Sequence, residues 1–201
     1  QPVVEAVCRS LDGLPLAIEL AAARVRVLSV QEIARRLEDR FSTLSDPTSQ
    51  RPERQRALGA AIAWSYDLLF PDDQRGLWAL SCFAGGAPLT AVESVLIAIG
   101  VPLAATVDVL SRLADRSLVE VDIGRGGAVR YRLLDSVRAF SLDQLRESDS
   151  YEAARRAHAT WVAAAADRAA TGVRGREQAV HLTVARTERA NIDEALAWTG
   201  E

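Results

Sequence analysis

The chain has 201 residues, a formal net charge of −3 and apolar side chains at 49% of positions, with aromatics at only 5%. That length holds one large or two to three small domains, and an apolar content carried by Ala and Leu points to closely packed helices. Charge is balanced along the chain: cut near Asp46 and Ser148, each third carries one more acid than base, so no segment has the basic excess expected of a nucleic-acid or anionic-membrane binder.

There is no lysine, and all 24 basic residues are Arg. A phosphate-cradling P-loop needs the Lys of Gly-x-x-x-x-Gly-Lys-Ser/Thr, so the sequence cannot be a complete P-loop NTPase. Methionine is also absent and the chain opens on Gln1-Pro2-Val3-Val4-Glu5, inside what reads as a structural element. We therefore expect a piece of a longer protein. Cys8 and Cys82 stand among apolar residues, as free thiols of a reducing cytosol do. No apolar run is long enough to span a bilayer and there is no charged-then-apolar leader, so a cytoplasmic protein is expected. His158 and His181 lie outside any Cys/His ligand spacing, and no Gly-x-Ser-x-Gly elbow occurs. Neither a metal site nor a catalytic residue is expected.

In chain order, Leu14, Ala17, Ile18, Ala21, Val25 and Leu28 recur at helical spacing and predict a helix from Pro15 to about Val27. A second follows from Ser29 or Val30 to Arg40, with Ser29 as N-cap and Glu32 as its capping-box partner. Thr43 to Pro52 reads as a connector. Next come helices from about Gln55 to Leu69, from an Asp N-cap in Phe70-Pro71-Asp72-Asp73 to Cys82, from a Thr90 cap to Ile99, and from Pro102 to Arg116. The period then changes to two. Leu118, Val119, Val121 and Ile123, the turn Gly124-Arg125-Gly126-Gly127, and Val129 to Leu133 predict a β-hairpin. A helix from Asp135 to Glu147 follows, then an Ala- and Arg-rich helix from Tyr151 to Ala170, a break over 171–175, and an interrupted helix from Gln178 to Trp198. The fold class is mainly α: a small helical bundle over 1–50, a winged-helix domain with one β-hairpin over 51–148, and a helical hairpin of tetratricopeptide-like type over 149–201.

Gly13-Leu14-Pro15-Leu16-Ala17 resembles the GLPLA motif of NB-ARC, or STAND-type, nucleotide switches. Further strings fall in matching order: Leu58-Gly59-Ala60-Ala61-Ile62-Ala63-Trp64-Ser65-Tyr66-Asp67-Leu68-Leu69, Leu80-Ser81-Cys82-Phe83-Ala84-Gly85-Gly86, Leu113-Ala114-Asp115-Arg116-Ser117-Leu118-Val119, Tyr131-Arg132-Leu133-Leu134-Asp135-Ser136-Val137-Arg138 and, more weakly, Asn191-Ile192-Asp193-Glu194-Ala195-Leu196-Ala197-Trp198. Together they resemble the back half of a STAND regulator of the actinobacterial transcription-factor type. The resemblance implies that Gly13, Leu14 and Pro15 line the adenine side of an ADP or ATP site. The phosphate half would lie upstream, so the chain alone should not hold nucleotide tightly. The implied partners are an upstream P-loop domain, downstream repeats and, through self-association, further copies.

Many relatives begin the helix after the hairpin with Met-His-Asp, whose His meets the ADP β-phosphate; Leu133-Leu134-Asp135 stands here instead. Leucine cannot hydrogen-bond a phosphate, although Asp135 can still cap the helix. The rival reading is a winged-helix DNA-binding module with a helical dimerisation tail. Its contacts would be Arg112 and Arg116 on the third helix and Arg125, Arg130 and Arg132 on the wing. Asp108, Asp115, Glu120 and Asp122 interleave with those arginines and count against a phosphate-tracking surface.

Overall fold

A computed structural model describes residues 2–11, 13–44, 53–124, 128–172 and 178–200, with backbone alone for 38–44 and 53–56. The described residues form eleven α-helices and one two-stranded antiparallel sheet. The helices α1 (Pro2–Ser10), α2 (Pro15–Ala22) and α3 (Val30–Leu44) pack with α4 (Glu53–Asp67). Helix α4 in turn meets α8 (Asp135–Arg146). The expected connector residues 45–52 lie outside the described residues.

Helices α5 (Pro71–Ser81), α6 (Leu89–Ala98) and α7 (Thr106–Asp115) precede β1 (Glu120–Ile123) and β2 (Val129–Arg132), which is the winged-helix order. The hairpin register sets Glu120 opposite Arg132 and Asp122 opposite Arg130, so acid faces base across the ladder. A bridge between Ala87 and Tyr131 adds the trace of a third strand, with both backbone hydrogen bonds made at 2.9 and 2.8 Å. Gly86, at φ 72°, makes this possible: a Cβ there would sit 2.9 Å from the Tyr131 carbonyl oxygen. Helix α9 (Tyr151–Gly172) rests on α6 and carries α10 (Gln178–Thr187) and α11 (Arg189–Thr199).

One continuous apolar core runs from Val7 and Leu11 through Leu20, Ile33 and Leu37, then Leu77, Phe83, Leu96 and Leu113, to Leu145 and Ala154. Small residues set the helix spacing. A Cβ at Gly76 would lie 2.5 Å from Val109 Cγ1 and 2.9 Å from Leu113 Cδ1, so α5 and α7 approach as closely as glycine permits. No described helix is long and apolar enough to cross a membrane.

Several boundaries differ from expectation for identifiable reasons. Helix α2 stops at Ala22 and the chain turns through 23–27, where the Arg24 guanidinium reaches inward and donates to the Ser65 carbonyl at 3.3 Å. The N-caps of α5, α6 and α8 are Phe70, Pro88 and Leu134, none with a side-chain capping bond. Asp72, Asp73, Thr90 and Asp135 instead sit one to three residues inside their helices. Leu118 and Val119 are buried ahead of the strand rather than within it. Ser29 does cap α3: the Glu32 N–H donates to its Oγ at 3.2 Å. The last helix is interrupted at Glu188, between α10 and α11.

Candidate functional site

Three places on the molecule hold the residues singled out by sequence. The first is the α1–α2 turn. Gly13 adopts φ 67°, Leu14 is extended at φ −70° and ψ 119°, and Pro15 takes the first position of α2, where a missing N–H costs nothing. The Gly13 N–H closes on the Cys8 carbonyl at 3.0 Å and the Leu14 N–H on Leu11 at 3.1 Å, ending α1. Glycine is needed here for its dihedral angle, since no described atom comes within 4 Å of the place a Cβ would take. Gly13 and Pro15 are exposed and Leu14 is half-buried, so the three present an open edge at the N-terminus of α2.

The second place is a carboxylate on α5 that collects two arginines from α7. Asp73 is completely buried. Arg112 donates through Nε to both its oxygens, at 2.9 and 3.1 Å, and through Nη2 at 2.6 Å; Arg116 donates through Nη1 at 3.0 Å. The hydrogen bonds that Arg112 donates to Asp73 push its guanidinium upward in pKa, against a smaller opposing effect of burial. Arg24 lies close by, buried, with its pKa lowered to about 10 first by desolvation and then by the like charge of Arg116. Arg112 and Arg116, the two helix-borne DNA candidates, are thus turned inward onto a buried acid.

The third place is where α11 meets the wing and the turn before α6. Arg130 on β2 donates to Glu188 at 2.6 Å and to the Gly86 carbonyl at 2.8 Å. Asn191, fully buried, accepts from the Gly85 N–H at 3.0 Å and donates to the Gly86 carbonyl at 3.0 Å and to Glu188 at 2.6 Å. One turn further along α11, Glu194 accepts from Arg138 of α8 at 2.8 Å and from Arg155 of α9 at 2.9 Å. Burial opposes ionisation of Glu194, but hydrogen bonds and charge from both arginines outweigh it and lower its pKa. Arg132 is exposed at the wing, near Arg130, Arg186 and Arg189 and beside Asp122 and Asp193. Arg125 lies outside the described residues.

Leu134, at the position where a phosphate-reading His would stand, is an exposed apolar side chain preceding α8. His158 is fully buried edge-on to Phe83, with ring centroids 4.6 Å apart and neither ring nitrogen hydrogen-bonded to a described residue. Its pKa falls to about 4, mainly through desolvation, with Arg155 adding to the effect. Cys82 is buried, and desolvation raises its thiol to about 12, whereas Cys8 is half-buried. Among the described residues no group of three or more His, Cys, Asp or Glu is placed to hold a metal ion.

Sequence reasoning missed Asp73, Glu188, Asn191 and Glu194 as organising residues. A weak signal for the last three was available. They recur every three residues along an Ala- and Leu-rich segment, which puts polar groups on the face that a helix would otherwise bury.

Comparison with known proteins places the chain beside mycobacterial sequences. It is 38% identical over 195 residues to a protein of Mycobacterium bovis named "Putative HTH-type transcriptional regulator", and equally to one so named in Mycobacterium tuberculosis; the match takes in 97% of this chain and 22% of each relative. An uncharacterised Mycobacterium tuberculosis protein is 38% identical over 152 residues, 73% of this chain and 37% of that protein. The chain therefore spans about a fifth of the length of the regulators it matches. No protein-family model matches it, and no solved structure matches it significantly.

Proposed function

We propose that this chain is the non-catalytic regulatory portion of a STAND-type signalling ATPase within a transcriptional regulator. It helps hold ADP or ATP at Gly13, Leu14 and Pro15 and couples the nucleotide state to repeats beyond the winged helix. The observation that carries the reading is the open turn at Gly13-Leu14-Pro15. Its backbone is fixed by hydrogen bonds to α1, it begins a helix with proline, and its outer edge is free to meet a ligand. The names of the mycobacterial relatives agree with a place in transcriptional regulation.

In this reading the winged helix is an internal lid. A nucleotide can shift the lid only to the extent that it binds the closed and open arrangements with different affinity. Movement would be transmitted through two rigid links: α4, which joins the bundle of α2 to α8, and the polar contacts of α11 with Arg130 and Gly85–Gly86. The rival reading, DNA binding by the winged helix, draws on the HTH-type name of the relatives. Against it stands the commitment of Arg112, Arg116 and Arg130 to internal acids.

The test is to purify the full-length protein, denature it, and quantify released adenine nucleotide for the parent and for Pro15→Ala. Near-stoichiometric ADP from the parent, depleted in the variant, supports the switch. A well-folded parent without nucleotide overturns it.

A further inference from the structure

Arginines converge on one cleft that the nucleotide reading leaves unused. It lies beyond the C-terminal end of α2, has a volume of about 430 Å³, and is walled by Arg24 and Arg26 of the turn after α2, Arg36 of α3, and Arg112 and Arg116 of α7. Among the described residues, Asp115 is the one acid in its wall. Gly13, Leu14 and Pro15 do not line it: they begin α2, and the cleft lies past its other end.

The described residues that line this cleft carry five guanidinium groups against one carboxylate. Asp73 lies behind the wall, and its two oxygens already take four hydrogen bonds from Arg112 and Arg116. Both guanidinium groups share this hydrogen-bonded carboxylate, and Asp108 and Asp72 act on Arg112 at longer range. Arg24 brings a third positive charge to the same spot, 3% exposed and near enough to Arg116 to be affected by its charge. Its Nη2 donates to the Ser65 carbonyl, while its Nε is buried with no hydrogen-bond partner among the described residues. Arg36 donates through Nε to Glu32 at 2.6 Å. Arg26 is exposed and makes no ion pair with a described residue. A buried, unsatisfied guanidinium N–H amid like charge is costly unless an anion compensates it.

We infer that this cleft binds the phosphoryl group of a phosphorylated small molecule, with Arg24 and Arg116 at its base and Arg26 and Arg36 at its mouth. Planar guanidinium forks match phosphate oxygens in pairs, and several arginines on one concave surface favour a doubly charged group over a carboxylate. The volume suits a small ligand, and the exposed side chains of Val27 and Leu68 at the rim offer an apolar wall to the remainder of the molecule. Duplex DNA would need a basic stripe along the surface, and Asp108 and Asp115 interrupt α7 on the side facing outward.

The probe is inorganic pyrophosphate, titrated calorimetrically into the full chain at fixed ionic strength, with sodium sulfate and a duplex oligonucleotide as comparisons. We expect saturable binding of pyrophosphate by the parent. Arg26→Ala and Arg36→Ala, which remove side chains from the mouth and leave the core untouched, should weaken it about tenfold or more, the loss of one charge-assisted contact. Pro15→Ala should leave it unchanged, so failure of the adenine site and failure of this cleft are read separately. Absence of pyrophosphate binding, equal binding by sulfate, stronger capture of the duplex, or an affinity unaltered in both arginine variants would each overturn the assignment.

Discussion

Arg130 and Glu188, fifty-eight positions apart, meet at 2.6 Å where the wing touches the start of α11. Glu188 is 5% exposed and its carboxylate also accepts from Asn191, so the pair is a desolvated joint rather than a surface ornament. It ties the hairpin, the Gly85–Gly86 turn and the last helix into one unit.

Removing both sides of that joint should cost less than the sum of removing each alone. Arg130→Ala leaves a buried carboxylate uncompensated, and we expect a loss of about 3 kcal/mol. The double variant Arg130→Ala with Glu188→Gln should be less destabilised than the sum of the single changes. Urea unfolding of the four proteins in a double-mutant cycle measures the coupling, and additive effects within error would show that the contact contributes nothing.

Asp73 makes a sharper prediction because two arginines depend on it. Asp73→Ala should destabilise the chain by about 2–4 kcal/mol, since Arg112 and Arg116 lose their common partner and α5 loses its tie to α7. Asp72→Ala, one residue away but half-exposed and paired with Arg75 one turn on, should cost no more than about 0.5 kcal/mol. Chemical denaturation of both variants separates a buried acid from an ordinary helix-start charge.

His158 sets a pH dependence. Its folded pKa of about 4 lies below the unfolded value of about 6.5, so between those limits the unfolded chain binds more protons. The neutral ring costs nothing above pH 6.5, and stability should fall as pH drops from 6.5 towards 4, by up to about 1.4 kcal/mol per pH unit for this one proton. Glu194 titrates in the same direction, because its lowered pKa also gives stability that is lost on acidification. Replacing His158 by Leu should flatten the profile over pH 4–6.5, and an unchanged slope in thermal melts across that range would refute the assignment to this ring.

Ser117 ends α7 in the left-handed region at φ 57°, where the Leu118 N–H reaches the Leu113 carbonyl at 3.1 Å and the Ser117 N–H reaches Ala114 at 2.9 Å. This is a Schellman closure with serine in the glycine position. Ser117→Gly should therefore stabilise the chain by about 0.5–1 kcal/mol. Gly76→Ala should do the opposite, costing about 1–3 kcal/mol as the new methyl meets Val109 and Leu113. Calorimetric melting of the two variants tests both signs.

The sequence by itself determined the order and type of nearly every described element, from the helix opened by Pro15 to the hairpin of residues 120–132 and the interruption before α11. Periodicity, proline at helix starts and glycine in turns are local properties, and they act over a few residues whatever the rest of the chain does. The capping of α3 by Ser29 was legible for the same reason. The mainly α class followed from composition and period alone. Only the tertiary structure decided what the arginines do. Arg112, Arg116 and Arg130 read as exposed contacts in one dimension, because nothing in the sequence marks Asp73 or Glu188 as their partners across 39 to 58 residues. Charge pairing falls off within a few ångströms once water is present, so it is settled by where the backbone brings the groups. The same convergence gathered five arginines around one cleft, although every segment of the chain is close to neutral.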